Sequence, residues 1–208
     1  MSERIERRGE PLDSTAAGVV LLHGRGGTAA SMLELASAMP GLRVSWLAPE
    51  APGNTWYPRS FLAPIEANEP SLSRALGTVD EVVGELVDSG LDRSRIVLMG
   101  FSQGACLAAE YALRNPAKYG GLLLLTGGAI GPEGTTWEGP ADFDGTPVFA
   151  GTGDPDPHVP VDRVRETVDV LSRRGAAVEL EVYPGMPHTV NDDELSHIAG
   201  VIRAAAES

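Results

Sequence analysis

A serine set between glycines, Gly100-Phe101-Ser102-Gln103-Gly104, is the clearest piece of chemistry in this chain. The pattern G-x-S-x-G puts a hydroxyl on a sharp strand-to-helix turn, where only tiny neighbours leave room for a strained serine. Ile96 to Met99 before it reads as a short apolar strand, and the Ala-rich stretch to Leu113 after it as a helix. A helix starting beside the hydroxyl aims its amide dipoles at any negative charge that develops there. The hydroxyl attacks a carbonyl only when a base takes its proton, a task imidazole performs best near neutral pH.

Four histidines are available. His188 follows a strand and precedes the last helix, in a Gly- and Pro-rich stretch that suits a rigid exposed loop, and it is the candidate base. His197 lies in the terminal helix beside Ile198 and reads as surface or partly buried. His158 reads as a loop residue, and His23, closing the first apolar strand, as a brace between loops. The base needs an acid to orient it. Asp154 and Asp156 both lie just past a strand end in the chain order Ser, Asp, His, and both are also natural turn formers. These residues alone do not separate them. An oxyanion would be met by the Gln103 N–H and by one N–H of His23-Gly24-Arg25-Gly26-Gly27. That loop lacks the lysine and the glycine spacing of a phosphate cradle.

The elements that must hold these residues alternate. Ile5 to Arg8 reads as a marginal edge strand, and Gly18 to Leu22 as a strand apolar on both faces, which a covered parallel sheet demands. Thr28 caps a helix with Met32, Leu35, Ala36 and Met39 on one face, ended by Pro40-Gly41. Val44 to Ala48 is the next strand. Pro49 to Pro70 is long and irregular and carries Trp56, Tyr57 and Phe61, and loops of that length are usually functional. Val79, Val82, Val83, Leu86 and Val87 mark a helix. After the serine turn come a strand over Leu122 to Thr126, a loop over Gly131 to Thr146 and a strand over Val148 to Ala150. A helix through Val164, Val168 and Leu171, a strand over Val178 to Val182 and a helix through Leu195, Ile198, Ala199 and Ile202 complete the chain. This predicts one α/β domain over 1–208 with a mostly parallel central sheet, its site at the carboxyl ends of the strands.

The chain has 208 residues and a net charge of -13, which argues against nucleic acid and anionic membrane surfaces as partners and otherwise serves solubility. Its one cysteine, Cys106, excludes an internal disulfide and fits a reducing compartment. Among alanines on the serine helix, it reads as a small core residue rather than a second nucleophile. The first residues are charged, with no secretory pattern, and no apolar run approaches a membrane span. A cytoplasmic protein without membrane insertion is expected. A monomer and a homodimer fit equally.

Taken together, Leu22-His23-Gly24, Gly100 to Gly104, Asp154-Pro155-Asp156-Pro157-His158-Val159-Pro160 and Tyr183-Pro184-Gly185-Met186-Pro187-His188 resemble the small carboxylesterase/lysophospholipase family of α/β hydrolases, which includes acyl-protein thioesterases. The resemblance runs from about Val19 to the end of the chain. It implies an α/β-hydrolase fold with helices on both faces of the sheet, and the few residues between elements leave little material for a cap domain. It also implies Ser102 as nucleophile, His188 as base, Asp156 as the orienting acid, and the N–H groups of Arg25 and Gln103 as oxyanion donors. Trp56 falls where that family carries a pocket-lining Trp. His23, Tyr57 and Phe61 are placed with it around the substrate. The chain has Arg25-Gly26-Gly27 where thioesterase-like members carry a Leu and an acidic residue, and its Trp56-to-Phe61 insert looks like a bacterial esterase subgroup.

The implied activity is hydrolysis of short to medium acyl esters through an acyl-enzyme, with a small-molecule ester as partner and no metal or organic cofactor. A thioesterase or lactone hydrolase would use the same residues. A binding protein on this fold, without catalysis, is the remaining alternative.

Overall fold

Runs such as Gly18–Leu22 and Gly121–Leu125 carry no polar side chain, so they are stable only as strands covered on both faces. The computed structural model, which describes residues 4–39 and 41–208, places them near the centre of a seven-stranded sheet. The strands are β1 (Ile5–Gly9), β2 (Gly18–Leu22), β3 (Ser45–Pro49), β4 (Ile96–Phe101), β5 (Gly121–Leu125), β6 (Pro147–Asp154) and β7 (Ala177–Pro184). Their spatial order is β1-β3-β2-β4-β5-β6-β7. Every pairing is parallel except that of β1 with β3, so the edge strand read from Ile5 to Arg8 is the antiparallel one.

The helices are α1 (Ala29–Ser37), α2 (Ser71–Asp88), α3 (Gln103–Arg114), α4 (Val161–Arg173) and α5 (Asp192–Glu207). Side chains along a strand alternate faces, and the core divides accordingly. Val19, Leu21, Val97, Met99, Leu123 and Leu125 pack with α1 and α5. Val20, Leu22, Ile96, Leu98, Leu122 and Leu124 pack with α2, α3 and α4. Helices therefore cover both faces, and truncating a central side chain such as Leu123 to Ala costs ~2–5 kcal/mol.

Thr28 caps α1 as its sequence suggests, its hydroxyl accepting from the Ser31 N–H at 3.1 Å. Leu33 rather than Leu35 is fully buried there, and Pro40, read as the helix stop, lies outside the described residues. α2 is longer than its valine stripe. Leu72 and Ala75 extend the buried face, while Val87, assigned to it, is 39% exposed in the last turn. β6 also outruns its apolar core, continuing through Gly151-Thr152-Gly153 to Asp154. Packing explains those glycines. A Cβ on Gly151 would lie 2.2 Å from a Glu194 carboxylate oxygen, and one on Gly153 would lie 2.2 Å from the Met186 carbonyl oxygen. The strand is glycine-rich because α5 and the loop after β7 press directly on its backbone.

Candidate active site

Ser102 occupies the step from β4 to α3 with φ 53° and ψ −117°, a left-handed backbone that costs a non-glycine residue of order 1–3 kcal/mol. Its N–H donates to the Leu125 carbonyl at 2.8 Å, tying the turn to β5. The flanking glycines are compulsory. A Cβ on Gly100 would stand 2.3 Å from the Gly104 carbonyl, and one on Gly104 would stand 2.0 Å from the Leu22 carbonyl oxygen. The turn is thus packed backbone to backbone against the end of β2.

The structure separates the two aspartates. Asp156 Oδ2 lies 2.7 Å from His188 Nδ1, and its Oδ1 accepts from the N–H groups of His158 (2.7 Å) and Val159 (2.9 Å). Its side chain is fully buried, whereas Asp154 is exposed. Burial pushes the Asp156 carboxyl pKa up, but the His188 ring and the two backbone donors outweigh it and leave the pKa below its ordinary value. Asp156 is therefore a carboxylate at neutral pH. With Nδ1 bonded to it, His188 has Nε2 left for exchange with another group.

Ser102 and His188 line one cavity of about 370 Å³, together with Gly24, Arg25, Tyr57, Ser60, Phe61, Phe101, Gln103, Cys106, His158 and Val159. Among the described residues, the Ser102 hydroxyl makes no hydrogen bond, and neither do the main-chain N–H groups of Arg25 and Gln103. Two free amides beside a free hydroxyl at a helix N-terminus are what a developing oxyanion requires.

The side chains of those same two residues point into the long loop between β3 and α2. Arg25 donates to the carbonyls of Tyr57 (3.0 Å), Pro58 (3.2 Å) and Arg59 (2.8 Å). Gln103 accepts from the Trp56 N–H (3.0 Å) and donates to the Tyr57 carbonyl (2.8 Å). Buried Asn68 ties the Arg59 N–H to the Ser60 carbonyl, and the Gly131 N–H holds the Phe61 carbonyl. The loop is irregular yet fully anchored.

His23 and Trp56 were placed in the pocket by sequence, but neither lines the cavity. His23 is completely buried, donating from Nδ1 to the Gly24 carbonyl (2.8 Å) and accepting at Nε2 from the Ala51 N–H (3.1 Å). Burial lowers its pKa, so it is a neutral ring bracing two loops. Trp56 donates from its indole to the His23 carbonyl (2.9 Å) and packs against the His23 ring. A Trp whose only polar atom has a main-chain partner at the strand end is turned inward.

Lining residues without an assigned role in the sequence include Ser60, Phe101, His158 and Val159. Phe101 is the variable residue of the serine motif, and its ring lies 5.0 Å from that of His188. His158 stands edge-on to His188 at 4.8 Å. Their motif positions beside Ser102 and Asp156 were the available signal. Cys106 also borders the cavity, and burial pushes its thiol pKa up to about 11, which makes it a poor nucleophile. His197 is remote, stacked on Phe149. Among the described residues, no group of three or more His, Cys, Asp or Glu side chains is arranged to hold a metal ion, and no helix is long and apolar enough to cross a membrane.

Over residues 4–206 the chain matches the family described as Phospholipase/Carboxylesterase. It belongs to that family. Among family relatives, the acyl-protein thioesterase 1 of Saccharomyces cerevisiae is 30% identical across 64% of this chain and 60% of the yeast protein. The acyl-protein thioesterase 1 of Cryptococcus neoformans is 27% identical, over 90% of this chain and 92% of its own length. The crystal structure of a phospholipase/carboxylesterase from Dyadobacter fermentans superposes with a TM-score of 0.92 at 46% identity, covering 97% of both chains. As a member of this family, the chain is an α/β-hydrolase-fold ester hydrolase.

Proposed function

We propose that this family member hydrolyses short to medium acyl carboxylic esters through an acyl-enzyme on Ser102. The observation that carries the reading is one cavity bordered by Ser102 in its strained turn and by His188 with Nδ1 held by a buried carboxylate. Ser102 Oγ attacks the ester carbonyl while His188 Nε2 takes its proton, and Asp156 stabilises the imidazolium. The Arg25 and Gln103 N–H groups hold the oxyanion. His188 then gives the proton to the leaving alcohol. Water, deprotonated by the same imidazole, releases the acid and restores Ser102.

The relatives named acyl-protein thioesterases make a thioester the natural companion substrate in the same assay. A cytoplasmic setting and a small-molecule ester as partner complete the reading, supported by the lone buried cysteine and the modest cavity. The test is turnover of p-nitrophenyl esters from acetate to palmitate, wild type against Ser102→Ala, with fluorophosphonate labelling alongside. Turnover and labelling should vanish together in the mutant, with the optimum at short or medium chains. Activity that survives the substitution would remove Ser102 as nucleophile.

A further inference from the structure

The Ser102 cavity differs in charge from the rest of the molecule. The chain carries 29 acidic side chains against 16 lysines and arginines, yet no carboxylate lines this cavity. A larger cavity of about 650 Å³ beside Trp137 follows the composition, with Glu138, Glu166 and Asp169 in its wall. Around Ser102 the ionisable lining residues are Arg25, Tyr57, Cys106, His158 and His188. Burial pushes the Tyr57 pKa well above its ordinary value and the Cys106 thiol up to about 11, so both are neutral at working pH. The two imidazoles carry a positive charge or none, and a guanidinium is always charged. Of the carboxylates that act on these residues, Asp156 is buried and committed to His188 Nδ1 and two main-chain N–H groups, and Glu110 pairs with Arg114 at 2.7 Å. Neither lines the cavity. The wall is positive or neutral throughout.

Arg25 is the permanent charge in that wall. It is exposed, and among the described residues it makes no ion pair. Its partners are the carbonyls of Tyr57, Pro58 and Arg59, which fix the guanidinium without cancelling its charge. Those bonds leave the Nε–H and one Nη1–H without an acceptor among the described residues. The guanidinium carbon lies 6.0 Å from the centre of the Tyr57 ring, part of the same wall. Arg25 is also the charge that pulls the Tyr57 pKa back against burial, so its field reaches the lining. His158, exposed and edge-on to His188 at 4.8 Å, likewise has no acidic partner among the described ion pairs. A cleft lined by one sign of charge and apolar walls, here Phe61, Phe101 and Val159, concentrates substrates of the opposite sign.

We infer that the substrates are short esters carrying a second, negatively charged group, a carboxylate, and that Arg25 is the residue that selects them. The inference rests on the serine-hydrolase reading above and names the substrate class of that site. Arg25 attracts the carboxylate by charge and offers it an N–H for a charge-assisted hydrogen bond. The cavity of about 370 Å³ sets the size, with carboxylate and ester a few atoms apart.

The experiment uses two pairs of near-isosteric esters. Monoethyl succinate against ethyl succinamate places a charge or a neutral amide on the acyl side, and 3-acetoxybenzoate against 3-acetoxybenzamide does so on the leaving side. Each kcat/KM is divided by the ester's hydroxide-catalysed rate. In wild type at low salt the charged member of at least one pair should be favoured by ~10-fold or more, mainly through KM, and the preference should shrink at high ionic strength. Arg25→Gln should bring that ratio close to one, whereas Arg25→Lys, which keeps the charge, should retain most of it. Any fall in kcat shared by both esters of a pair cancels in the ratio. The salt response of wild type tests the charge selection without relying on a variant's folding. No preference for charge in either pair, a preference indifferent to salt, or one that persists in Arg25→Gln overturns the inference and leaves the hydrolase reading intact. A wild type that neither turns over an ester nor labels with fluorophosphonate removes both.

Discussion

Arg25 and Gln103 reach the same acceptor: the Tyr57 carbonyl oxygen takes a hydrogen bond from Arg25 Nη2 at 3.0 Å and another from Gln103 Nε2 at 2.8 Å. One residue comes from the loop after β2 and the other from the first turn of α3. The carbonyl clamps together the two main-chain amides assigned to the oxyanion.

Loosening this clamp should lower kcat more than it raises KM, since an oxyanion forms only in the transition state. Arg25→Ala should cut kcat by roughly 10-fold, with partial recovery in Arg25→Lys, which restores one donor but not the fork. Steady-state kinetics on a single p-nitrophenyl ester reads the split. An equal loss from a soluble, folded Arg25→Lys would show that charge alone is insufficient.

Gln103→Ala should add a stability cost. It strands the buried Trp56 N–H and removes one of two donors from the Tyr57 carbonyl, which predicts a loss of ~1–3 kcal/mol in urea denaturation alongside the kinetic defect.

Asp156→Asn keeps the shape of the acid but loses the charge that stabilises the imidazolium. Activity should fall on the order of 10³–10⁴-fold while fluorophosphonate still reaches Ser102 slowly. The folded pKa of Asp156 is depressed, so its contribution to stability is present above the ordinary carboxylate value and is lost as the pH falls through the folded one. Asp156→Asn should therefore shrink the difference in stability between neutral and strongly acid solution.

Glu194 works in the opposite direction. It is fully buried at the start of α5, one oxygen accepting from the Asn191 N–H and the other unpartnered, and burial raises its pKa from 4.5 to about 7. The folded protein holds this proton where the unfolded chain has released it. The associated stability is present below pH 4.5 and lost as the pH rises through about 7, a change of ~3 kcal/mol at most. Denaturation midpoints across that window should slope downward, and Glu194→Gln should flatten them.

Gly104→Ala should fail to fold or lose ~3 kcal/mol or more, because its Cβ would sit 2.0 Å from a main-chain oxygen that cannot retreat. Circular dichroism and urea melts decide it.

The central strands and the amphipathic helices were legible because burial on two faces or one leaves a periodic apolar record, as in Val19 to Leu22 and Val79 to Leu86. The extra length of β6 was hidden because Gly151 and Gly153 answer to neighbours remote in sequence, Glu194 and Met186. The triad candidates were legible as types in order, yet residue types and spacing alone left Asp154 and Asp156 equivalent; the family resemblance pointed to Asp156, and it is the carboxylate that meets the His188 ring. The inward turn of Trp56 was invisible for a similar reason: it depends on the His23 carbonyl, fixed by the end of β2 rather than by local sequence.

Three contacts that shape this site run main chain to main chain: Gly100 on Gly104, Gly104 on Leu22, and Gly153 on Met186. The side chains of Ser60, Phe61 and Val159 take no part in those close approaches, although these residues border the same cavity. Those side chains can therefore be exchanged to reshape the cavity while the serine turn keeps its geometry, and a laboratory library confined to them inherits the same freedom.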